Sequence, residues 1–113
     1  MTDQPLWTPS AERIATANMT AFMAWVNQPY GRDFADYAAL YEWSVSESER
    51  FWTAVWEFCG VIGERGQSVL VDGNQMPGAK WFPDARLNYA ENLLRDRDNA
   101  DGVVFLTQFL WRF

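Results

Sequence analysis

The sequence contains no histidine. That removes the usual general base near neutral pH, the Ser–His and Cys–His pairings of nucleophilic catalysis, and the commonest transition-metal ligand. Cysteine is nearly absent too. Cys59 stands alone, so no internal disulfide can form and nothing points to an oxidising compartment. Lys80 is the only lysine, and 15 acidic residues against 9 basic ones leave a net charge of −6. Such a balance lacks the basic footprint that displaces counterions from nucleic acid, and it repels an anionic membrane surface. No apolar run approaches the roughly 20 residues of a membrane span. Met1 to Pro9 has neither the basic start nor the apolar stretch of a signal peptide. These absences set the first expectations: no nucleic-acid partner, no membrane partner, and the cytoplasm as the default location.

What is present favours a folded chain. Of 113 residues, 49% are apolar and 17% aromatic, including seven Trp. Aromatic side chains bring much buried area per residue, so a single domain with a real core is within reach. Thr8-Pro9 predicts a helix start, with Thr8 as cap and Pro9 in the first turn. Ile14, Ala17, Ala21, Phe22, Trp25 and Val26 continue at helical spacing until Pro29 and Gly31. Asp33 is the expected cap of a second helix carrying Phe34, Tyr37, Leu40 and Tyr41. Ser46-Glu47-Ser48-Glu49 reads as a capping box that opens a third, with Phe51, Trp52, Val55, Trp56 and Cys59 on its apolar side. A fourth is expected after Asp84 through Leu87, Ala90, Leu93 and Leu94, with Arg95 and Arg97 in its last turn.

Between Gly60 and Gly78 the pattern lapses into a glycine-rich loop whose only ordered stretch is Ser68 to Asp72. Near the end, Val103-Val104-Phe105-Leu106 is an unbroken apolar run that suits a strand buried on both faces. No other strand of that strength is available to pair with it. The fold class expected is therefore mainly α: a small domain of about four helices with a long loop and an orphan terminal strand.

The residues offer little chemistry. Cys59, on an apolar helix face with no base to activate it, reads as a small buried side chain. Asp33, Glu47, Glu49 and Asp84 are explained as caps or first-turn residues. Asp96, Asp98 and Asp101 lack the distal Glu of a calcium loop. Gly60, Gly63 and Gly66 lack the Lys-Ser/Thr that completes a phosphate loop. No catalytic, cofactor-binding or metal-binding residues are assigned. The exception to this blandness is Trp81-Phe82 followed by Asn88 and Asn92. Two amides at i and i+4 beside an aromatic pair suggest side chains bonded to backbone and a face for docking. Trp81, Phe82, Asn88 and Asn92 are the candidate docking residues. Leu87 is expected to be buried, at a cost of about 2–5 kcal/mol on truncation to Ala.

The same stretch carries a family resemblance. Pro77-Gly78-Ala79-Lys80-Trp81-Phe82-Pro83-Asp84-Ala85-Arg86-Leu87-Asn88-Tyr89-Ala90-Glu91-Asn92-Leu93-Leu94 resembles the N-terminal segment of AMP-forming short-chain acyl-CoA synthetases. The family pattern is W-F-x-G-x-x-L-N-x-x-x-N, and the L-N-Y-A-E-N-L-L form is most similar to the acetoacetyl-CoA synthetase subgroup. Pro5 to Ser10, Arg13 to Ala15, Phe22 to Val26, Tyr37 to Leu40, Trp43 to Val45 and Phe51-Trp52 follow the same subgroup in order. Asp84 departs from the pattern, which has Gly there.

The resemblance implies a ligase family of lipid metabolism that uses ATP, Mg and CoA, with the chemistry in a separate adenylating domain. On that reading residues 1–101 form the helical N-terminal domain. Residues 102–113, an orphan strand and apolar tail, begin an adenylating domain that these residues lack, and the chain alone does not catalyse. The alternative is a free-standing interaction module that docks on a separate adenylating domain or self-associates through the apolar tail.

Overall fold

A computed structural model describes residues 5–95. The candidate strand Val103 to Leu106, the apolar tail and Arg97 lie outside the described residues. The architecture is mainly α, as the periodicity implies. Five helices run in chain order: α1 (Ala11–Ala15), α2 (Asn18–Asn27), α3 (Tyr37–Ser46), α4 (Ser48–Phe58) and α5 (Tyr89–Leu93). Two short strands, β1 (Leu70–Val71) and β2 (Lys80–Trp81), pair antiparallel in the loop before α5, with Leu70 opposite Trp81 and Val71 opposite Lys80.

The core is small and belongs to three helices. Phe22 and Val26 of α2, Leu40 and Trp43 of α3, and Ala54 of α4 are buried. Met23, Trp25, Tyr30, Phe34, Phe51, Val55 and Phe58 pack around them. The rings meet mostly edge to face. Phe22 lies 5.8 Å from Phe51 at 89° and 5.1 Å from Phe58 at 62°, an arrangement that sets the positive ring edge against the negative face.

Several helix boundaries differ from the expectation, each for a local reason. The first predicted helix is broken at Ala17, whose ψ of 141° is extended. The Thr16 hydroxyl donates to the Glu12 carbonyl at 3.0 Å and that of Thr20 to the Ile14 carbonyl at 2.6 Å. These hydroxyls satisfy the free carbonyls at the end of α1, so the chain can turn there. Ser10, not Thr8, caps α1, accepting from the Arg13 amide. Asp36, not Asp33, caps α3, accepting from the Ala39 amide at 2.9 Å. The reason lies in Asn27, whose side-chain oxygen takes the Phe34 amide at 2.9 Å and occupies the backbone just after Asp33.

The predicted capping box is not made. Ser46 is the last residue of α3 and donates back to the Glu42 carbonyl at 2.8 Å, while Ser48 donates to that of Ser44 at 2.8 Å. Glu47, the residue between the helices, has its carboxylate held by Arg32 and Arg50. The hydroxyls are spent closing α3 and cannot open α4.

Candidate docking face

Beyond α4 the chain is organised by close backbone approaches and polar contacts instead of by a core. Glu64 and Arg86 exchange both amide–carbonyl hydrogen bonds at 2.8 Å. Gly63 makes that approach possible. It has φ of 154°, and a Cβ there would stand 2.6 Å from the Leu87 Cβ and 2.8 Å from the Arg86 carbonyl oxygen. Gly66, with φ of 80°, admits Asp84 in the same way. These glycines serve chain packing. Asp84 does not cap a helix. Its carboxylate accepts from the Ser68 amide at 3.2 Å and so ties the two sides of the loop together.

The two asparagines work within the chain. Asn88 caps α5, accepting from the Glu91 amide at 3.2 Å. The Asn92 side chain accepts from the Ile62 amide at 2.8 Å and donates to the Ile62 carbonyl at 2.8 Å and to that of Asn88 at 2.9 Å. One flat amide thus satisfies both backbone groups of Ile62. Arg95 adds a second tie, donating to the carbonyls of Cys59 at 2.7 Å and Gly60 at 2.9 Å. There it faces the C-terminal end of α4, where positive charge is favoured. Cys59 itself is exposed, against the buried position expected of it. As the residue closing α4 it lies past the packed face of that helix.

The aromatic pair is split. Trp81 meets Trp52 of α4 edge on, with ring centroids 5.7 Å apart. Phe82, at φ of 46°, turns its ring onto Trp56 at 5.1 Å. Trp52, Trp81 and Phe82 line an open groove of about 270 Å³. Trp81 remains 44% exposed. Leu87 is 47% exposed, which corrects the expectation of burial: it sits over Gly63, at the rim of the loop, not in the helical core. Its truncation to Ala therefore costs about 1 kcal/mol or less. Tyr89, Leu93 and Leu94 are exposed as well, the last two at 66% and 61%. Sequence reasoning placed Leu93 and Leu94 on an inward stripe. The signal that α5 is too short to bury them is Asn88, whose cap delays the helix start to Tyr89.

Charge is concentrated elsewhere, at the α3–α4 junction. Arg50, donating to the Glu47 carboxylate at 2.8 Å, and then Arg32 on its other oxygen hold the Glu47 carboxyl below its ordinary range. The Arg32 guanidinium also lies 5.8 Å from the Trp43 ring centre. Three residues past the end of α2, the Tyr30 hydroxyl donates to Glu57 at 3.3 Å. Burial first, then the Glu57 charge, pushes that phenol above its ordinary value. Because the Glu47 pKa is lowered by folding, its contribution is present above the unfolded carboxylate value near 4.5 and is lost as pH falls through the folded value. Glu47→Gln should flatten that part of the curve. Urea midpoints taken across roughly pH 6 to pH 3 for both proteins would show it, and parallel curves would refute it.

Among the described residues no three His, Cys, Asp or Glu side chains gather where they could hold a metal ion. No helix among them is long and apolar enough to cross a membrane. The pieces define a helical core that carries an extended, apolar-faced arm. Comparison with known proteins gives that arrangement its place. A family model described as "Acetyl-coenzyme A synthetase N-terminus" matches residues 37–93, and the chain belongs to that family. It is 52% identical over 103 residues to the acetoacetyl-coenzyme A synthetase of Rhizobium meliloti, covering 91% of this chain and 16% of that protein. To the acetoacetyl-CoA synthetase of Danio rerio it is 37% identical over 107 residues, covering 93% of this chain and 16% of that one. The solved acetoacetyl-CoA synthetase from Streptomyces lividans superposes with a TM-score of 0.70 at 49% identity, over 81% of this chain and 14% of that structure. The chain thus spans about a sixth of the length of the curated relatives it matches.

Proposed function

We propose that this chain serves as the non-catalytic N-terminal part of an ATP-dependent acetoacetyl-CoA synthetase, working in the cytoplasm. In that reaction a carboxylate attacks the α-phosphorus of ATP and releases pyrophosphate. The thiol of CoA then attacks the carbonyl carbon of the acyl-adenylate and releases AMP. No residue described here is assigned to either step. The chain's own part is to pack its arm against the adenylating domain, with Trp81, Leu87, Leu93 and Leu94 at the contact. Phe82, Asn88 and Asn92 hold the arm in shape from behind.

The observation that carries this reading is the mismatch between halves. From Gly60 to Arg95 the chain exposes a run of large apolar side chains and buries none of them, in a family whose relatives are several times longer. Exposed apolar surface of that extent marks a contact made with another body. The test is acetoacetate-dependent ATP–pyrophosphate exchange. Purified chain should show none. A chimera in which residues 5–95 replace the corresponding segment of a full-length relative should show exchange within about tenfold of that relative, a loss of at most 1.4 kcal/mol. Robust exchange from the chain alone, or a folded but inert chimera, would overturn the reading.

A further inference from the structure

The described chain is held together in two different ways. Every fully buried side chain belongs to α2, α3 or α4, and α5 buries none. Residues 60–95 attach to the helical core at two places. One is polar and lies at the end of α4, where Arg95 donates to the Cys59 carbonyl and the Val61 amide donates to that of Trp56. The other is a pair of ring contacts, Trp81 on Trp52 and Phe82 on Trp56. Inside the segment the chain binds itself, through β1 with β2, Glu64 with Arg86, Asp84 with Ser68, and Asn92 with both backbone groups of Ile62.

A region's free energy of opening follows the apolar surface that opening releases. Releasing residues 60–95 frees half-buried rings and a few hydrogen bonds. Releasing α2–α4 would free Phe22, Val26, Leu40 and Trp43 together. We propose that residues 60–95 form a strap that opens and closes as one cooperative unit on a helical core that stays folded. The Asn92 amide locks the two ends of the strap to each other, and the Arg95 guanidinium fastens them to the end of α4.

The chemistry of the lock and the fastening is specific. Asn92 stands in for a paired strand, since one planar group both donates to and accepts from Ile62. Aspartate has the same shape but can only accept. Arg95 rests on the carbonyl end of α4, so the last turn of the core and the last turn of the strap close together. Leu87, Tyr89, Leu93 and Leu94 all ride on the strap, so its closure fixes where these exposed side chains stand relative to the core. That last consequence rests on the docking proposed above, whereas the opening is a property of this chain alone.

Hydrogen exchange on the full chain, with no partner present, separates the two. The Glu64, Phe82, Arg86 and Leu94 amides, all bonded within the strap, should exchange at least about tenfold faster than those of Val26, Leu40 and Trp43. Asn92→Asp should speed the strap amides by about a further tenfold, the factor one lost hydrogen-bond pair supplies, and leave the core amides unchanged. Arg95→Gln should move the same strap amides together, Glu64 included. Strap amides as slow as the core, a response confined to residues next to the substitution, or strap and core rising in step would each overturn the proposal. Failure of docking in the chimera would not touch it.

Discussion

Trp43→Ala should remove a large share of the stability of this chain. Trp43 is 3% exposed and its ring is met by those of Tyr30 at 5.6 Å, Phe34 at 5.3 Å and Phe51 at 5.7 Å. Truncating a buried Trp typically costs about 3–5 kcal/mol, through lost transfer energy and the cavity left behind. A domain of this size has a total of about 5–15 kcal/mol to lose, and this one concentrates its fully buried side chains in a few positions. The cavity would lie where three helices converge, leaving no single element free to collapse into it. Trp43→Phe should be far milder. The Trp43 indole nitrogen is buried with no hydrogen-bond partner among the described residues, so phenylalanine removes an unsatisfied donor as well as some volume. Urea denaturation followed by far-UV circular dichroism would check both. Equal losses for Ala and Phe would refute the account, because an aromatic ring at this position would then restore nothing.

The second large effect is expected where the chain meets its proposed partner. Leu93→Asp with Leu94→Asp should leave the isolated chain within about 0.5 kcal/mol of its normal stability, because both side chains already face water. In the chimeric ligase the same pair should lower soluble, active enzyme by a factor of ten or more. Two carboxylates would then be carried into an apolar contact with nothing to pair them. The contrast is the informative part. A loss in the isolated chain as large as in the chimera would place these leucines in the chain's own fold. No loss in either would remove α5 from the docking face.

The two halves of the chain were unequally legible in its sequence. In α2 period and burial agree, with Phe22 and Val26 spaced by four in the core. In α3 they agree only at Leu40: Tyr37 and Tyr41 of the expected face stack on each other in water, and Trp43, three residues past Leu40, is the buried partner instead. Cap positions were less legible. Thr8, Asp33 and Ser46 are all good capping residues by type, and each loses to a nearby rival: Ser10, Asp36 and the ion-paired Glu47. Which rival wins depends on contacts far along the chain, such as Asn27 on the Phe34 amide or Arg32 on Glu47.

In residues 60–95 periodicity misled, because Leu87, Ala90, Leu93 and Leu94 match a buried helix that is never completed. An apolar stripe names the face that prefers to leave water. It does not say whether this chain or another one covers it. The asparagines were the better guide. Asn88 and Asn92 are poor helix residues at helical spacing, and that misfit marked side chains committed to backbone. The glycines at 63 and 66 gave no periodic signal at all. Their role, letting residues 84–87 lie close alongside, depends on contacts more than fifteen positions away.

The edge-on meeting of Trp52 and Trp81 has a consequence in optics. The two indoles stand 5.7 Å apart at 63°, one on the helical core and the other on the strap. At that separation and tilt their ultraviolet transition dipoles couple, and a coupled pair held at a fixed angle gives a paired band of opposite signs in circular dichroism. The chain therefore carries its own gauge. Loss of that couplet with helical ellipticity intact would report the arm leaving the core, in real time and without a label.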